Sequence, residues 1–304
     1  MASLKEIKGR IASVKSTLKI TSAMKLVASA KLRKAQLAIT NMLPYQRQLQ
    51  RILSSLQTSD CGGAEDPSGD TSVPRPYSAA ASVAIVAFSS NSSLCGAFNS
   101  NVIKKTLSII DEYRSAGFSD DDIVVYSVGR KMADAMRKAG FPSPADYSNM
   151  AETPGYEAAA ALAQELIEGH YSGRFARVEL VYNHFKSTSS QPTVRETYLI
   201  DAAQANASPV PDSVPSMPSE SDGIIIEPSR AAVLGVLIPK VQRLKIYTVL
   251  LDSNAAEHAA RTVAMQTATD NGNDLLEALT LEYNKGRQQK ITSEILDIVG
   301  GSLQ

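Results

Sequence analysis

The chain has 304 residues, enough for one or two domains with a sizeable core. Its 31 Lys and Arg balance 31 Asp and Glu, so the net charge singles out no class of partner. Aromatic residues make up 6% with no Trp, which is lean for a large globular core, and the dominance of Ala, Leu, Ile, Ser and Lys leans the chain towards helix.

Cys61 and Cys95 form no metal-binding pattern and suggest no disulfide framework, so a reducing compartment is the default. His170, His184 and His258 are scattered and read as surface or structural residues. The start, MASLKEIKGRIASVK, has no continuous apolar stretch, so no secretory signal is expected. No run reaches the roughly 20 apolar residues that a membrane span needs.

Residues 1–56 read as one long helix. Leu4, Ile7, Ile11, Val14, Leu18, Thr21, Lys25, Ala28, Leu32, Ala35, Ile39 and Met42 alternate steps of three and four. That is a heptad seam interrupted by Thr21 and Lys25. Such a helix spans about 80 Å at 1.5 Å per residue, so it requires an antiparallel partner helix. It is also basic: Glu6 is its one acid, against Lys5, Lys8, Arg10, Lys15, Lys19, Lys25, Lys31, Arg33, Lys34, Arg47 and Arg51. A solvated face normally mixes signs, so a basic rod points to an acidic partner surface or to nucleic acid.

Residues 57–78 are rich in Gly, Pro, Ser and Asp and read as a flexible loop. Residues 79–200 change character. SVAIVAF (82–88) and DIVVYSVG (122–129) read as buried strands, with helices over 97–117, 130–140 and 155–173. RVELVYNHFKS and PTVRETYLI form two further strands, pairable as a hairpin around STSSQP. Alternating strands and helices predict a small α/β domain with a mainly parallel sheet.

A second Pro/Ser loop covers 201–227, and 228–304 is helical again. Pro239 is expected to kink or break that run early. Its apolar stripe runs through Ile246, Leu250, Ala256, Ala260, Val263, Leu275 or Leu276, Leu279 and Tyr283. It continues through Ile291, Ile295, Ile298 and Val299 almost to the chain end. The expected architecture is a long antiparallel coiled coil of the N- and C-terminal helices with an inserted Rossmann-like α/β domain. The C-terminal helix is the longer, so its last turns are expected to project past the paired region. Either that end folds back on the chain's own core or it enters a partner.

The one loop that invites a catalytic reading is FSSNSSLCGAFN (88–99), where a strand meets a helix N-terminus. The chain has no GxGxxG, no GxxxxGK[ST], no HExxH and no CxxC, and Cys95 has no nearby His in sequence. A tight turn with a packed Cys explains the loop, and Asp120–Asp122 reads as a cap or surface turn. No active site and no cofactor are expected within this chain. The competing class is a basic coiled-coil nucleic-acid binder. It is weakened because the Lys and Arg lie all around the helix without interleaved aromatics.

Three stretches carry a resemblance. IKGRIASVKSTLKITSAMKLVASAKLRKAQ (7–36) resembles the N-terminal helix of the gamma subunit of F-type ATP synthases, of bacterial type. NAAEHAARTVAMQTATDNGNDLLEALTLEYNKGRQQKITSEILDIVGGS (254–302) resembles its C-terminal helix, and SLCGAFN (93–99) the Leu-Cys-Gly turn of its middle domain. Order and spacing agree from end to end, the two Pro/Ser loops apart. The resemblance implies a non-catalytic rotor shaft. It would turn inside three alpha and three beta subunits, rest with epsilon on the membrane c-ring, and work in a complex that also holds delta. It would sit on the cytoplasmic face of a bacterial plasma membrane, attached only through partner subunits.

The same resemblance implies contacts to beta through Arg287 and Gln288, through Met24 with Lys25 beside it near the beta hinge, and through Lys104. It places Thr292, Glu294 and Asp297 facing Met24 on the opposite helix. The apolar end, with Ile291, Ile295, Ile298, Val299 and Leu303, becomes a bearing in the sleeve of the hexamer. Two departures stand out. Asn91-Ser92-Ser93 replaces the family's acid-Arg-Gly stretch, leaving any contact of that Arg in doubt. Gly286, Gly300 and Ser302 stand where alanine is common, which predicts a softer tip.

Overall fold

A computed structural model describes residues 3–58, 82–198, 227 and 229–301. Apart from Gln57, Thr58 and Glu227, the two Pro/Ser loops lie outside the described residues, as does Leu303.

Helix α1, Leu4–Thr58, runs antiparallel to α6, Arg230–Gly301. Every seam position from Leu4 to Met42 is buried or half-buried, while the residues between them are mostly exposed. The heptad pattern of α1 therefore sets its buried face. Thr21 and Lys25 do not break it: the Thr269 hydroxyl donates to Thr21 Oγ1 across the seam at 3.0 Å.

Facing α1, the α6 seam runs through Met265, Thr269, Gly272, Leu276, Leu279, Tyr283 and Gly286. This differs from the expected stripe. Val263 is 40% exposed, and of the two leucines offered it is Leu276 that enters the seam, Leu275 being 50% exposed. The mixed seam tracks close helix approach rather than hydrophobicity. A Cβ on Gly272 would meet Leu18 Cδ2 at 2.7 Å, and one on Gly286 would meet Leu4 Cδ2 at 3.1 Å. Gly272 thus gives Leu18 its socket.

At Gly286 the neighbour is the free end of a side chain at the start of α1. Gly286→Ala can be accommodated there and gains about 1 kcal/mol of helix propensity. The expected result is slower amide exchange over 284–300 in the alanine variant. Equal protection in the two chains refutes it.

α6 also runs unbroken through Pro239, where a break was expected. Only one i→i−4 bond is lost there. The carbonyl left without it belongs to exposed Gly235, where water can satisfy it. Packing of Leu237 and Leu244 against Leu49 and Leu56 holds the helix on either side of the proline.

The inserted domain is a four-stranded sheet, order β2-β1-β3-β4. Its strands are β1 Ser82–Phe88, β2 Ile123–Val128, β3 Phe175–Asn183 and β4 Thr193–Tyr198. β1 pairs parallel with β2 and β3, and β4 closes the edge antiparallel to β3. Period-two alternation splits β1 between two cores. Val83, Ile85 and Ala87 face α2, Phe98–Ser115, and α3, Arg130–Lys138. Ala84, Val86 and Phe88 face α5, Tyr156–Tyr171, the short α4, Ser148–Glu152, and Ile246, Val249 and Leu250 of α6. The C-terminal rod helix is therefore one layer of the domain. Asp120–Asp122 forms a 3-10 turn with a Ser119–Asp122 capping box, in line with its reading as a cap.

Candidate functional site

In open α/β sheets, ligands bind beyond the strand ends where the strand order reverses. Here that point follows β1, whose neighbours β2 and β3 lie on opposite sides. The loop there, 89–97, is filled by its own groups. Asn99 accepts from Ser90 N–H at 3.0 Å, and Asn99 Nδ2 donates to Ser90 Oγ at 2.9 Å. Gly129 at φ +100° lies so close that a Cβ would meet Ser89 O at 2.3 Å. Cys95 is buried with Phe98 against Ala256 of α6. The crevice is a joint between domain and rod.

Asn91 and Ser92 are tied to other elements. Asn91 Nδ2 donates to Ser148 O at 2.8 Å, and Asn91 Oδ1 accepts from Arg130 N–H at 2.9 Å. Ser92 Oγ accepts from Arg261 of α6 at 2.8 Å. A rod arginine thus supplies a loop contact in a segment that carries none of its own. Arg261 also pairs with Glu257 at 2.7 Å and approaches His258 Nδ1 at 3.4 Å. Burial raises the Glu257 carboxyl, and the Arg261 charge pulls it back down.

Burial, helped by Arg261 and Lys31, holds the His258 imidazole down at about 4. A depressed histidine contributes stability that is full above its unfolded value near 6.5 and is lost as pH falls towards 4. The raised Glu257 acts in the opposite sense, its contribution fading as pH rises above the ordinary carboxylate range. The net expectation is a stability loss of up to about 3 kcal/mol between pH 6.5 and 4 from His258, partly offset by Glu257. Urea denaturation of His258→Gln across this range should show a flatter profile than wild type. An unchanged slope would disprove the assignment.

Pairing with α1 reaches Gly286 opposite Leu4, and α6 then continues alone to Gly301. This overhang is roughly four turns, about 22 Å. Its apolar residues are exposed: Ile291 47%, Ile295 55%, Leu296 64%, Ile298 71% and Val299 50%. The end does not fold back on the chain's own core. Continuing the seam step leads to Lys290, Ser293 and Asp297, so the apolar stripe is rotated off the face that meets α1. Leu296, which the sequence reading passed over, belongs to this exposed group. Contiguous exposed apolar surface on an unpaired helix marks an interaction surface.

The remaining expected residues fall at separate levels. Met24 and Lys25 are half-buried in the rod, and Lys104 is exposed on α2. Arg287 and Gln288 are exposed at the base of the overhang. Thr292 donates to Gln288 O at 3.0 Å within its own helix, and Glu294 lies 3.6 Å from Lys290. The expectation that Thr292, Glu294 and Asp297 face Met24 is overturned. With Thr21 opposite Thr269, Met24 lies level with about Gln266, so Thr292 is some 40 Å further along α6 at 1.5 Å per residue. α1 begins too late to face them.

The basic residues of α1 other than Lys25 are exposed, as are Ile20, Leu26 and Val27. Among the described residues no helix is long and apolar enough to cross a membrane, and no group of three or more acidic, His or Cys residues is placed to hold a metal.

Comparison with known proteins agrees with this geometry. The family model described as ATP synthase matches residues 3–303. The chain is 52% identical to the ATP synthase gamma chain of Phocaeicola vulgatus and 53% identical to that of Bacteroides fragilis, each match covering 100% of both chains. Among solved structures it resembles a chain of the Euglena gracilis mitochondrial ATP synthase complex of OSCP, F1 and c-ring. That match has TM-score 0.63 at 20% identity and covers 99% of this chain and 93% of the other. It also resembles a chain of the Tetrahymena thermophila central stalk and c-ring, with TM-score 0.53 at 21% identity, covering 82% and 99%. At those identities the structures speak to the fold. Identity above one half along the whole length, on an antiparallel rod with an inserted α/β domain, makes this chain a member of the ATP synthase gamma chain family.

Proposed function

We propose that this chain is the central shaft of an F-type ATP synthase, carrying torque between a membrane c-ring and three catalytic beta subunits. The observation that carries the reading is the overhang: a single helix with an apolar face turned away from its own partner helix. A surface that slides needs contacts with little directionality, and apolar contact provides them. Ile291, Ile295, Ile298, Val299 and Leu303 form the bearing in a sleeve of alpha and beta.

Arg287, Gln288, Thr292, Glu294 and Asp297 meet beta near the tip. Met24, Lys25 and Lys104 meet it lower down, where basic α1 faces acidic surface. The chain itself is non-catalytic, in keeping with a sheet-end crevice closed by its own residues. Epsilon joins it at the c-ring, delta completes the complex, and the assembly works on the cytoplasmic face of a bacterial plasma membrane.

Capture of the tagged chain from native membranes, followed by native mass spectrometry, tests this. The expected catch is one copy with three alpha and three beta subunits and epsilon, active as an ATPase. Recovery of the chain alone, or with salt-removable nucleic acid, would overturn it.

A further inference from the structure

Resting on the shaft reading, we propose that Phe185 is a positioning residue by which the α/β domain grips both rod helices, with Asp252 as the group that sets it. The evidence is the end of β3, where Asn183 is bonded to α2 and β4 and the next two residues are both bonded to Asp252 of α6. Asn183 Nδ2 donates to Phe98 O of α2 at 3.1 Å, while its Oδ1 accepts from Thr193 Oγ1 at 2.6 Å. His184 Nδ1 lies 2.6 Å from Asp252 Oδ2 of α6. The Phe185 N–H donates to Asp252 Oδ1 at 2.9 Å.

One carboxylate thus holds two adjacent residues of the domain, one oxygen each. The Phe185 ring then reaches where it could not stay unaided. It packs against the cluster that Leu32 and Ala35 of α1 form with Ala255 and Ala259 of α6. It packs also against the cluster of Cys95, Phe98 and Ala256. The alanines at 255, 256 and 259 are fully buried, and their size is what leaves room for the ring.

Torque about the rod axis pushes the domain sideways against the helices. Apolar faces packed side by side resist sideways slip weakly, because dispersion has no preferred direction. A ring seated between both helices and the turn blocks slip of either one. The two Asp252 bonds are directional and fix the azimuth of that ring. The role therefore goes beyond filling space: it sets how much of the domain's rotation reaches the rod.

The test uses the assembled complex of three alpha, three beta, gamma and epsilon. Beta is fixed to a surface and locked by nucleotide, and a bead on the α/β domain reports torsional stiffness from its angular fluctuations. Phe185→Ala is expected to soften the shaft at least about two-fold with unchanged subunit stoichiometry, since rigid surroundings only partly refill the cavity. Phe185→Tyr should restore wild-type stiffness. Asp252→Asn keeps an acceptor for the Phe185 N–H but loses the charge facing His184, so it should soften less. It carries the test should Phe185→Ala fail to assemble. Stiffness equal to wild type in the variants that assemble overturns the role given to Phe185. A wild-type chain that neither assembles nor rotates overturns the shaft reading itself.

Discussion

Glu179→Ala is expected to destabilise the α/β domain by about 1–3 kcal/mol, because it removes the acceptor of the buried Tyr113 hydroxyl and a charged partner of two half-buried arginines. The Glu179 side chain has no exposed surface. Arg195 grips it through Nε at 2.7 Å and Nη2 at 2.9 Å, a bidentate pair. Arg177 lies 3.0 Å away on the same strand, and Tyr113 of α2 donates its hydroxyl. Burial, with the Glu179 carboxylate beside it, raises the Tyr113 phenol far above its ordinary range, so it stays a donor. One carboxylate therefore joins α2, β3 and the edge strand β4.

Removing it takes away the acceptor of the Tyr113 hydroxyl, while Arg195 keeps Glu112 and Arg177 keeps Thr197. Removing Arg195 instead leaves Glu179 with Arg177 and Tyr113, a smaller defect. Exposed Glu112 also pairs with Arg195, but solvent screens that contact, so Glu112→Gln should leave stability close to wild type. Urea unfolding followed by circular dichroism separates these cases. A Glu179→Ala loss below about 1 kcal/mol would mean that water reaches the site and the network is not buried in solution.

Nothing in the sequence announced that network. Glu179, Arg195 and Tyr113 are distant in the chain, and only the sheet register and α2 bring them together. The same holds for Asp252 with His184 and for Arg261 with Ser92. What was legible is what short-range periodicity encodes: the α1 seam, strand 82–88, and the helices with glycine stops. The α6 seam was legible only in part. Its positions include Thr269, Gly272 and Gly286, chosen for size, while the more apolar Val263 and Leu275 point outwards. Hydrophobic periodicity finds a face only where burial and apolarity coincide. On this rod they do not, because close approach selects small residues for the seam while apolar ones lie outside it. Short α4 escaped for a different reason, since five residues are too few to show a period.

That separation of faces gives the second large effect. Ile291→Ser, Ile295→Ser and Ile298→Ser together are expected to leave the isolated chain's unfolding unchanged, because all three are exposed and off the α1 seam. In the assembled complex the same change removes side chains that each contribute about 1.5–3 kcal/mol when fully buried. Even partial burial in the sleeve then predicts a loss of more than about 100-fold in the stability of the shaft's seat, at about 1.4 kcal/mol per factor of ten. Retention of the shaft in detergent-washed complexes reads this directly, with thermal unfolding of the free chain as control. A drop in the free chain's own stability would show that the stripe packs within the chain. Full retention in the complex, with unchanged ATP synthesis, would show that the tip turns in a water-filled bore, and the torque would then have to pass lower down, through the basic flank of α1.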